Sequence, residues 1–382
     1  MKFTLQAKDQ SSKARAGFFE TAHGIVETPV FMPVGTQGTV KAVSQLHLKN
    51  VIDTKIILNN TYHLYLRPGT DLLEKAGGVH NFISWDRAIL TDSGGFQIFS
   101  LSDFRKLKPD GVEFKSHLDG SKHFFTPARI VDIQRSIGSD IMMVLDECTP
   151  YPCDFDYAAK SIKLTTKWAT LCKEAFMSSK GKYGYDQYMF GIVQGSTFKE
   201  LRERSAKELV PLDFDGYAIG GLAVGEPAEI MYDMVGFTTD FMPEEKPRYL
   251  MGVGRPENLL ESVERGVDMF DCVMPTRNAR NAYIFTNKGC FIISNSQYKE
   301  DFTPLDPDCG CFTCRNFTKA YIRHLFSARE LLAYELASVH NIYFFVNLLK
   351  EARKQILNGT FSEWKKETVK IVSFHHKLKN GG

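Results

Sequence analysis

Three aspartates in this sequence each follow a short apolar run: Asp92 in AILTDSGG, Asp146 in DIMMVLDE and Asp271 in MFDCVMP. Two carboxylates that face one another can divide a glycosidic reaction: one attacks the anomeric carbon, and the other protonates the leaving group and then activates the incoming nucleophile. Three uncompensated carboxylates repel, so at least one should have a raised pKa. Taken singly, each aspartate is better explained as a strand-end cap or an ion pair, for instance with Arg255 or Arg277. The set of three favours a shared catalytic site.

Other polar groups predict a flat ligand that is rich in nitrogen. Gln194 offers a donor and an acceptor, and Gly221 exposes its backbone N–H and C=O. Asp146 can accept two adjacent N–H groups, such as those on the Watson–Crick edge of guanine. Phe96 and Met251 can sandwich a ring, although either residue alone is more typical of a hydrophobic core.

A cysteine cluster predicts a metal site. Cys309, Cys311 and Cys314 lie within CGCFTC, and a single helix-like run follows, containing His324 and ending at His340. Three thiolates and one imidazole complete a tetrahedral shell for one Zn²⁺, and a site with no open position is structural. The spacing leaves both histidines open as the fourth ligand. The remaining cysteines are expected to be small buried side chains: Cys148, Cys153, Cys172, Cys272 and Cys290.

Eight short apolar runs are the strand candidates: 30–35, 56–60, 88–95, 140–147, 189–195, 217–222, 248–254 and 269–275. Amphipathic segments separate most of them, and near-continuous apolar strands are typical of a parallel sheet that is covered on both faces. This alternation predicts a (β/α)8 barrel, in which the polar strand ends converge on one mouth. A doubly wound open sheet is the alternative, but no G-x-G-x-x-G turn follows the first strand.

Three segments fall outside this alternation. Residues 1–27 are expected to form an antiparallel hairpin that closes the bottom of the barrel, and residues 100–125 are expected to form inserted short strands. Residues 276–345 contain the cysteine cluster and are expected to form a zinc-binding subdomain after strand eight. The barrel with its hairpin would span residues 1–275, and residues 346–382 would form C-terminal helices packing on it.

Charge and composition limit the kinds of partner. The chain has 382 residues and a formal net charge of only +2, but residues 276–382 hold 16 Lys and Arg against 9 Asp and Glu. A basic end on an acidic body suggests an anionic partner, with a solvated surface as the alternative. The segment MKFTLQAKDQ lacks the apolar core of a signal peptide, and no stretch approaches the length of a membrane span. We therefore expect a cytoplasmic protein with reduced cysteines.

Five motifs together resemble the bacterial tRNA-guanine transglycosylase family: TDSGGFQ, GIVQG, GGLAVGE, FDCVMPTR and C-x-C-x2-C…H, in this order. The resemblance implies a (β/α)8 barrel with an inserted subdomain that holds one structural zinc. It also implies exchange of guanine at the anticodon wobble position for 7-aminomethyl-7-deazaguanine, a queuosine precursor, through a covalent enzyme–RNA intermediate. The implied substrates are the tRNAs with G-U-N anticodons, which decode Asn, Asp, His and Tyr.

The resemblance also implies residue roles. Asp271 matches the nucleophile that bonds to ribose C1′, and Asp92 matches the general acid/base. His340, not His324, matches the fourth zinc ligand. The residues that match the base-binding set are Asp92, Ser93, Gly94, Gly95, Phe96, Asp146, Gln194, Gly221, Leu222 and Met251. The residues that match the RNA-binding set are Gly252, Val253, Gly254, Arg255, Pro256, Glu257, Asn258, Thr276, Arg277, Asn278, Ala279 and Arg280.

Smaller features refine the resemblance. Val224 and Cys148 resemble the bacterial form, which implies that the incoming base is the aminomethyl compound and not the bulkier queuine. Ala282 departs from the family, which usually has glycine there. The segment around Phe317 and Tyr321 resembles the family's homodimer contact, and packing against the zinc loop is the alternative.

Two other classes of function are weighed against this one. A catalytically silent tRNA-binding subunit would be expected to have lost the nucleophile or its acid, but both Asp271 and Asp92 are present. An ordinary barrel glycoside hydrolase would need a carbohydrate groove and no thiolate zinc site. Both alternatives therefore fit the motif set less well.

Overall fold

The computed structural model describes residues 1–101 and 104–373. Its strands are β1 Phe3–Lys8, β2 Arg15–Thr21, β3 Gly24–Thr28, β4 Val30–Gly35, β5 Ile56–Asn60, β6 Ala88–Asp92, β7 Arg105–Lys108, β8 Gly111–Lys115, β9 Lys122–Phe125, β10 Ile141–Met143, β11 Tyr188–Val193, β12 Gly216–Ile219, β13 Arg248–Leu250, β14 Met269–Cys272, β15 Tyr283–Thr286 and β16 Gly289–Ile292. Its α-helices are α1 Thr61–Leu66, α2 Thr70–Lys75, α3 Val79–Ile83, α4 Gly95–Leu101, α5 Pro127–Ile137, α6 Phe155–Ser178, α7 Lys199–Leu209, α8 Ala228–Thr239, α9 Pro256–Glu264, α10 Met274–Arg280, α11 Phe312–Asn316, α12 Lys319–Ala328, α13 Leu331–Leu357 and α14 Phe361–Val372. None of the described helices is both long enough and apolar enough to cross a membrane.

Eight parallel strands close into a barrel in the order β4-β5-β6-β10-β11-β12-β13-β14. They lie in the eight apolar runs, so the predicted (β/α)8 barrel is confirmed. Every residue of β5, β10, β12 and β13 is buried, because helices cover the outer face of the sheet. The register aligns the polar strand ends, and Asn60 on β5 is the direct neighbour of Asp92 on β6.

Helix α5 illustrates how local sequence signals set the ends of an element. The Thr126 side chain accepts a hydrogen bond from the N–H of Arg129, and Pro127 occupies the first helical position. At the other end Gly138 adopts a left-handed conformation with φ 79° and stops the helix. The chain is then free to enter β10.

The N-terminal segment forms three antiparallel strands, β1, β2 and β3, where the sequence predicts an antiparallel hairpin. It contains two turns instead of one. Asp9 accepts a hydrogen bond from the N–H of Ser11 at the first turn, and Gly24 with φ 117° completes the second. The sheet lies at the N-terminal end of the barrel strands, where Arg15 donates to both oxygens of Asp268 at 2.9 and 2.5 Å. The mouth is therefore at the opposite end.

The segment between α4 and α5 forms an antiparallel sheet in the order β7-β8-β9, as the sequence predicts for inserted strands. Gly120 with φ 74° lies in the second turn, and Gly111 begins β8 where a Cβ would lie 2.2 Å from the carbonyl oxygen of Phe125. Val112, Phe114 and Phe125 are buried. The inserted sheet therefore has an apolar inner face and an outer face that is open to solvent.

The run predicted as one helix ending at His340 is two helices, α12 and α13. Arg329 adopts a left-handed conformation with φ 59°, and the N–H of Glu330 bonds back to the carbonyl oxygen of Leu325. This arrangement ends α12 although no glycine is present to favour it. Helix α13 does not stop at His340 but continues to Leu357.

Helix α13 connects the cysteine-bearing segment to the barrel and to the N-terminal sheet. The Asn341 amide donates to the carbonyl oxygen of Pro275, just after β14. Arg353, further along the helix, donates to the carbonyl oxygens of Gly17 and Thr28. The expected boundary between residues 345 and 346 lies inside this helix.

We predict that replacing Asp268 destabilises the barrel strongly. Asp268 is fully buried and accepts hydrogen bonds from the Arg15 guanidinium and from the N–H of Arg248. Asp268→Ala leaves a buried guanidinium without its counter-charge, which costs about 3–5 kcal/mol of unfolding free energy. Denaturant-induced unfolding measures the loss. Asp240→Ala removes only the exposed pair with Lys13 and should change the midpoint little, so equal losses in the two variants would contradict the prediction.

Candidate active site

Asp146 is buried just beyond β10 and forms the centre of a hydrogen-bonded group at the barrel mouth. Its Oδ1 accepts from Ser93 Oγ at 3.1 Å, and its Oδ2 accepts from Gln194 Nε2 at 2.8 Å. Burial raises the pKa of the Asp146 carboxyl to about 6. Gln194 Oε1 is buried and has no hydrogen-bond donor among the described residues. This corner can therefore accept N–H groups from a ligand.

Two glycines keep the space in front of these side chains open. A Cβ on Gly221, where φ is 64°, would lie 2.3 Å from Gln194 Oε1. A Cβ on Gly95 would lie 2.7 Å from the carbonyl oxygen of Asp146 and 3.1 Å from its Oδ1. Because even a methyl group would collide at either position, both sites require glycine.

The apolar side chains expected to sandwich a flat ring lie at the same mouth. Phe96 is near the start of α4, after β6, and 49% of its surface is exposed. Met251 follows β13 and packs against the core, and Leu222 is buried after β12. Strands β6 and β13 are four places apart in the eight-stranded barrel. Phe96 and Met251 therefore come from opposite sides, as a sandwich requires.

Asp92 ends β6 and is held by three hydrogen-bond donors. Its Oδ2 accepts from Asn60 Nδ2 at 2.5 Å, and its Oδ1 accepts from the N–H groups of Thr61 and Gly94, each at 3.1 Å. The Asn60 amide is oriented because its oxygen caps helix α1. Burial, with a further contribution from the charge of Asp271, nevertheless raises the pKa of Asp92 to about 7.

Asp271 is on β14 and presents one carboxylate oxygen without a donor. The Tyr249 hydroxyl and the Gly252 N–H both donate to Oδ1, at 2.5 and 2.8 Å, and no described residue donates to Oδ2. Burial raises the pKa of the Asp271 carboxyl. Burial, then the charge of Asp271, also raises the pKa of Tyr249 well above its usual value, so this phenol remains a donor. A carboxylate fixed through one oxygen and open at the other is suited to nucleophilic attack.

The three clustered cysteines and His340 form a group that can hold a metal ion. The Sγ atoms of Cys309, Cys311 and Cys314 lie 3.7, 3.5 and 3.3 Å from His340 Nδ1. His340 Nε2 is 2.7 Å from a carbonyl oxygen of β15, which orients the ring so that Nδ1 faces the sulfurs. The four ligand atoms lie within 4.8 Å of one another, a fit to a tetrahedral site. The other histidine of the run, His324, is exposed on α12 and lies outside the group.

A second histidine cluster, at the other end of the barrel, does not have the geometry of a metal site. His23 and His80 are hydrogen-bonded to the two oxygens of Asp140 at 2.7 and 3.1 Å. Their rings stack with centroids 3.6 Å apart and planes at 12°. Two imidazoles on one ion diverge from it, and bonds of about 2.1 Å place their centres roughly 4.5 Å apart or more. The cluster instead fastens the turn between β2 and β3 to the start of β10.

The residues expected to bind RNA divide into a buried group and an exposed group. The buried residues are Val253, Gly254, Pro256, Thr276 and Ala279. The residues that are partly or fully exposed are Gly252, Arg255, Glu257, Asn258, Arg277, Asn278 and Arg280. Tight packing explains the first group, since a Cβ on Gly254 would lie 2.3 Å from Cys272 Sγ. The buried residues therefore position the loop after β13 and helix α10, which carry the exposed ones.

The basic residues of α10 follow the strand that carries Asp271. Helix α10 begins two residues after β14 and carries Arg277 and Arg280 in its last turn. Arg277 is exposed, and Arg280 is half-buried. Arg280 Nη1 is buried and has no hydrogen-bond partner among the described residues. An unpaired guanidinium nitrogen beside the mouth is suited to a negatively charged ligand.

Comparison with known proteins shows the family. The sequence model of the family described as queuine tRNA-ribosyltransferase matches residues 9–373. The chain is 57% identical over 374 residues to the queuine tRNA-ribosyltransferase of Thermoanaerobacter pseudethanolicus, with 98% of both chains covered. It is 57% identical over 370 residues to the protein of the same name from Caldanaerobacter subterraneus subsp. tengcongensis, with 97% of both covered. The corresponding protein of Pelotomaculum thermopropionicum is 53% identical over 368 residues, with 96% of this chain and 98% of the other covered.

The chain belongs to this family. Its departure at Ala282 from the glycine expected in queuine tRNA-ribosyltransferases has a backbone explanation. Ala282 follows α10 with φ 60° and is buried. A residue with a Cβ in the left-handed conformation is strained by about 1–2 kcal/mol, whereas glycine is not. Alanine is therefore tolerated here at a small cost in stability.

Two residues that orient the carboxylates of the candidate site have no role assigned from the sequence. Asn60 gives a visible signal, because it is a polar residue at the end of an apolar strand, next to the strand that ends in Asp92. Tyr249 gives none, because a tyrosine inside RYLMGVG is indistinguishable from a core residue. Only the barrel register reveals that its hydroxyl bonds to Asp271.

Arg202 is another residue without a role assigned from the sequence, and it lies in a charged helix. It lies on α7 in FKELRERSAKELV, a pattern typical of a solvent-exposed surface, yet it is fully buried. Its guanidinium donates to the carbonyl oxygens of Val193, the last residue of β11, and of Ser196, which follows that strand. It also donates to the carbonyl oxygen of Gly221. Burial lowers the pKa of Arg202 to about 10. Arg202 therefore ties the loop of Gln194 to the loop of Gly221.

We predict that Asp271→Asn lowers the pKa of Asp92 below about 7, because the substitution removes a negative neighbour that raises it. Carbon-13 NMR of labelled aspartate carboxyls, assigned with Asp92→Asn, measures this pKa. The exposed substitution Asp240→Asn is the control and should leave it unchanged. The same pKa in Asp271→Asn and in the unmodified protein would rule out the coupling.

The pKa of Asp92 also determines the sign of its effect on stability. The folded state binds the Asp92 proton more tightly than the unfolded state, whose value is 3.8. Its unfavourable contribution is therefore absent at low pH, grows between about pH 4 and pH 7, and is complete above that range. Asp271→Asn should reduce this loss of stability over the same interval.

Proposed function

We propose that this chain is a tRNA-guanine transglycosylase that exchanges guanine at the anticodon wobble position for 7-aminomethyl-7-deazaguanine in queuosine synthesis. The observation that carries the proposal is the environment of two carboxyl groups at one mouth. Asp271 has both donors on Oδ1 and an open Oδ2, whereas Asp92 has a pKa of about 7. Such a contrast supports a nucleophile and a general acid.

In the first half of the reaction, Asp271 Oδ2 attacks C1′ of the ribose. The glycosidic bond breaks, its electron pair leaves with guanine, and Asp92 gives its proton to the departing base. A pKa of about 7 keeps a large share of Asp92 protonated at neutral pH while leaving it able to release the proton. The product is an ester between Asp271 and the tRNA.

The second half reverses these steps with another base. The Asp92 carboxylate removes a proton from the incoming 7-deazaguanine, whose ring nitrogen attacks C1′ and displaces Asp271. One glycosidic bond replaces another, so no external energy source is needed. Both carboxyl groups return to their starting states.

Asp146 and Gln194 are proposed to read the edge of the base. Guanine and 7-deazaguanine present the same adjacent N–H groups, which suit the Asp146 carboxylate. Gln194 Oε1, buried without a donor among the described residues, supports this assignment because the base can supply the missing hydrogen bond. Phe96 and Met251 would stack on the two faces of the ring.

The proposed incoming base is the aminomethyl compound, although the relatives are named for queuine. Val224 lies two residues after the buried Leu222, and its own N–H donates to Glu226 Oε2 at 3.0 Å. A branched side chain on a loop held in this way limits the space for a large substituent. The compact aminomethyl group suits this limit better than the ring of queuine does.

The tRNA is proposed to present a flipped-out nucleotide to Asp271 while α10 holds the phosphates beside it. Arg277 is exposed and Arg280 Nη1 is buried without a partner among the described residues, which supports phosphate binding. The proposed substrates are the tRNAs for Asn, Asp, His and Tyr, which share a G-U-N anticodon. A tRNA-binding subunit without catalysis is the alternative, and it has no need of the open Asp271 oxygen.

Cys309, Cys311, Cys314 and His340 are proposed to hold one structural zinc ion. All four positions of a tetrahedral shell would be filled by protein, so the ion would take no part in the exchange reaction. It would fasten the short helix α11 to α13. A cytoplasmic location is also proposed, because a cysteine cluster that binds a metal ion is typical of a reducing compartment.

A homodimer is proposed through the surface around α12. Tyr321 stacks on Phe317 with ring centroids 5.6 Å apart, and Phe317 packs against the hydrophobic cluster that contains the metal-binding cysteines. Tyr321 is 40% exposed and Leu331 is 80% exposed. Exposed aromatic and aliphatic side chains on α12 and at the start of α13 support an interface between two copies.

We predict that Asp271→Ala abolishes exchange of labelled guanine into an unmodified tyrosine tRNA transcript, because no oxygen remains to trap the ribose. Binding of the tRNA should be nearly unchanged. Denaturing gels of the unmodified enzyme during turnover should show a protein–RNA adduct that is missing in the variant. Retained exchange, or an adduct in Asp271→Ala, would assign the nucleophile to another residue.

Competing bases test the proposed substrate in the same assay. Unlabelled 7-aminomethyl-7-deazaguanine should displace labelled guanine from the tRNA, and queuine should not. The variant Val224→Gly, which has a larger pocket, should accept queuine and should still exchange guanine. If the unmodified enzyme uses queuine equally well, the proposed choice of base is wrong.

We predict that Cys314→Ser lowers both the zinc content and the melting temperature. The reason is that the variant has only three of the four ligands and its fold depends on the bound ion. Elemental analysis of the purified protein should give one zinc per unmodified chain. Cys153→Ser changes a half-buried cysteine outside the group and should retain the metal. Equal zinc content in the two variants would exclude the site.

A further inference from the structure

The inserted sheet has a lysine-rich outer face that the proposed reaction does not use. In the register, Lys106 is opposite Glu113 and Lys115 is opposite Lys122. Directly opposite residues share a face, and so do residues two apart along a strand. The outer face is therefore formed by Lys106, Lys108, Glu113, Lys115, Lys122 and Phe124.

The inner face holds the sheet firmly on the barrel. Val112, Phe114 and Phe125 are buried. Arg105 donates to the carbonyl oxygen of Phe99 at 3.0 Å and lies 3.8 Å from the centre of its ring. The lysines of the outer face therefore project from a fixed platform.

The outer face is strongly basic. Glu113 is its one acidic residue, and Lys108 binds it at 2.8 Å. The hydrogen bond from Lys108, with smaller contributions from Lys122 and Lys106, lowers the pKa of Glu113, so these ammonium groups converge on it. Lys108 also lies 5.0 Å from the centre of the Phe124 ring. Lysines interleaved with an aromatic ring are typical of a surface that binds nucleic acid.

Two acidic residues of the described chain lie at the ends of the sheet. Asp110 lies in the turn between β7 and β8, and Asp119 lies in the turn between β8 and β9. Asp119 accepts hydrogen bonds from the hydroxyl and the N–H of Ser121. Neither aspartate is part of the face, so among the described residues of the face Lys106, Lys108 and Lys122 surround a single glutamate.

The inserted sheet also forms part of the rim of the active site. Leu107 and Val112 on its inner face share a small cavity of about 20 Å³ with Gly95 and Asp146 of the base-binding group. The sheet begins soon after α4, the helix that carries Phe96. An RNA that inserts a base between these residues must therefore pass close to the sheet.

The sheet and helix α10 occupy different sides of the mouth. The sheet follows β6 and α10 follows β14, and these two strands are three places apart in the barrel of eight. Arg277 and Arg280 can hold one side of a bound anticodon loop. The lysine-rich face is available to the RNA that continues past the other side.

We infer that the outer face of the inserted sheet is a second binding site for tRNA. Its lysines, Lys106, Lys108, Lys115 and Lys122, bind phosphates of the tRNA stem outside the anticodon loop. This inference rests on the proposed function, because it requires a tRNA substrate. Four ammonium groups on one face match the closely spaced phosphates of an RNA duplex without reading its sequence. The contact increases affinity for a full tRNA without changing the chemistry at Asp271.

The test is a triple variant, Lys106→Gln, Lys115→Gln and Lys122→Gln, which retains Lys108 as the partner of Glu113. Its dissociation constant for tyrosine tRNA should rise roughly tenfold, and the slope of log affinity against log salt should fall by about 2–3. Affinity for a short anticodon hairpin and the exchange rate at saturating hairpin should remain unchanged. The matched control replaces three exposed lysines on and after α6: Lys163→Gln, Lys167→Gln and Lys180→Gln.

Other results of these binding and exchange measurements would contradict the inference, the proposed function or both. An unchanged affinity and salt slope for the tRNA, or the same loss in the control, overturns the inference. Equal weakening for the tRNA and the hairpin also overturns it, because the contact would then lie within the loop. If the unmodified enzyme exchanges guanine while the triple variant binds normally, only this inference fails. If the unmodified enzyme exchanges guanine in neither RNA, the proposed function fails as well.

Discussion

The candidate site depends on the two hydrogen bonds that strand β13 and its loop donate to one oxygen of Asp271. A carboxylate buried in a barrel mouth is unfavourable unless donors compensate it, and Tyr249 and Gly252 both donate to Oδ1. The register that pairs Leu250 with Phe270 sets this geometry, because it places the end of β13 beside Asp271. The other oxygen, Oδ2, to which no described residue donates, is thereby available to an electrophile.

The same burial determines how the other carboxyl groups behave. Asp92 and Asp146 have pKa values of about 7 and about 6, in each case mainly because of burial. Their donors differ, since Asp92 is bound by the start of α1 and Asp146 by Ser93 and Gln194. One acidic mouth can therefore contain a proton donor, a base reader and a nucleophile, because each carboxyl group has its own hydrogen-bond partners.

Local sequence signals predict the elements well and the long-range contacts poorly. The eight barrel strands are visible because each is a short apolar run, and α5 is visible because Thr126 and Gly138 mark its ends. The break between α12 and α13 is not visible, since Arg329 adopts a conformation that glycine normally signals. Arg202 on α7 is missed for a different reason: its partners are backbone carbonyls of distant strand ends, which leave no trace in composition or periodicity.

The cysteine group bears on the proposed RNA binding through one adjacent residue. Asn341 follows His340 on α13, and its amide donates to the carbonyl oxygens of Pro275, in the first turn of α10, and of Tyr283, just beyond the end of that helix. A metal ion that orients His340 would therefore also fix the helix turn that holds Arg277 and Arg280. The hydrogen bonds of Asp271 come from β13 and its loop and do not pass through this helix. Loss of the metal should consequently weaken the proposed RNA contacts of Arg277 and Arg280 before it disturbs the geometry around Asp271.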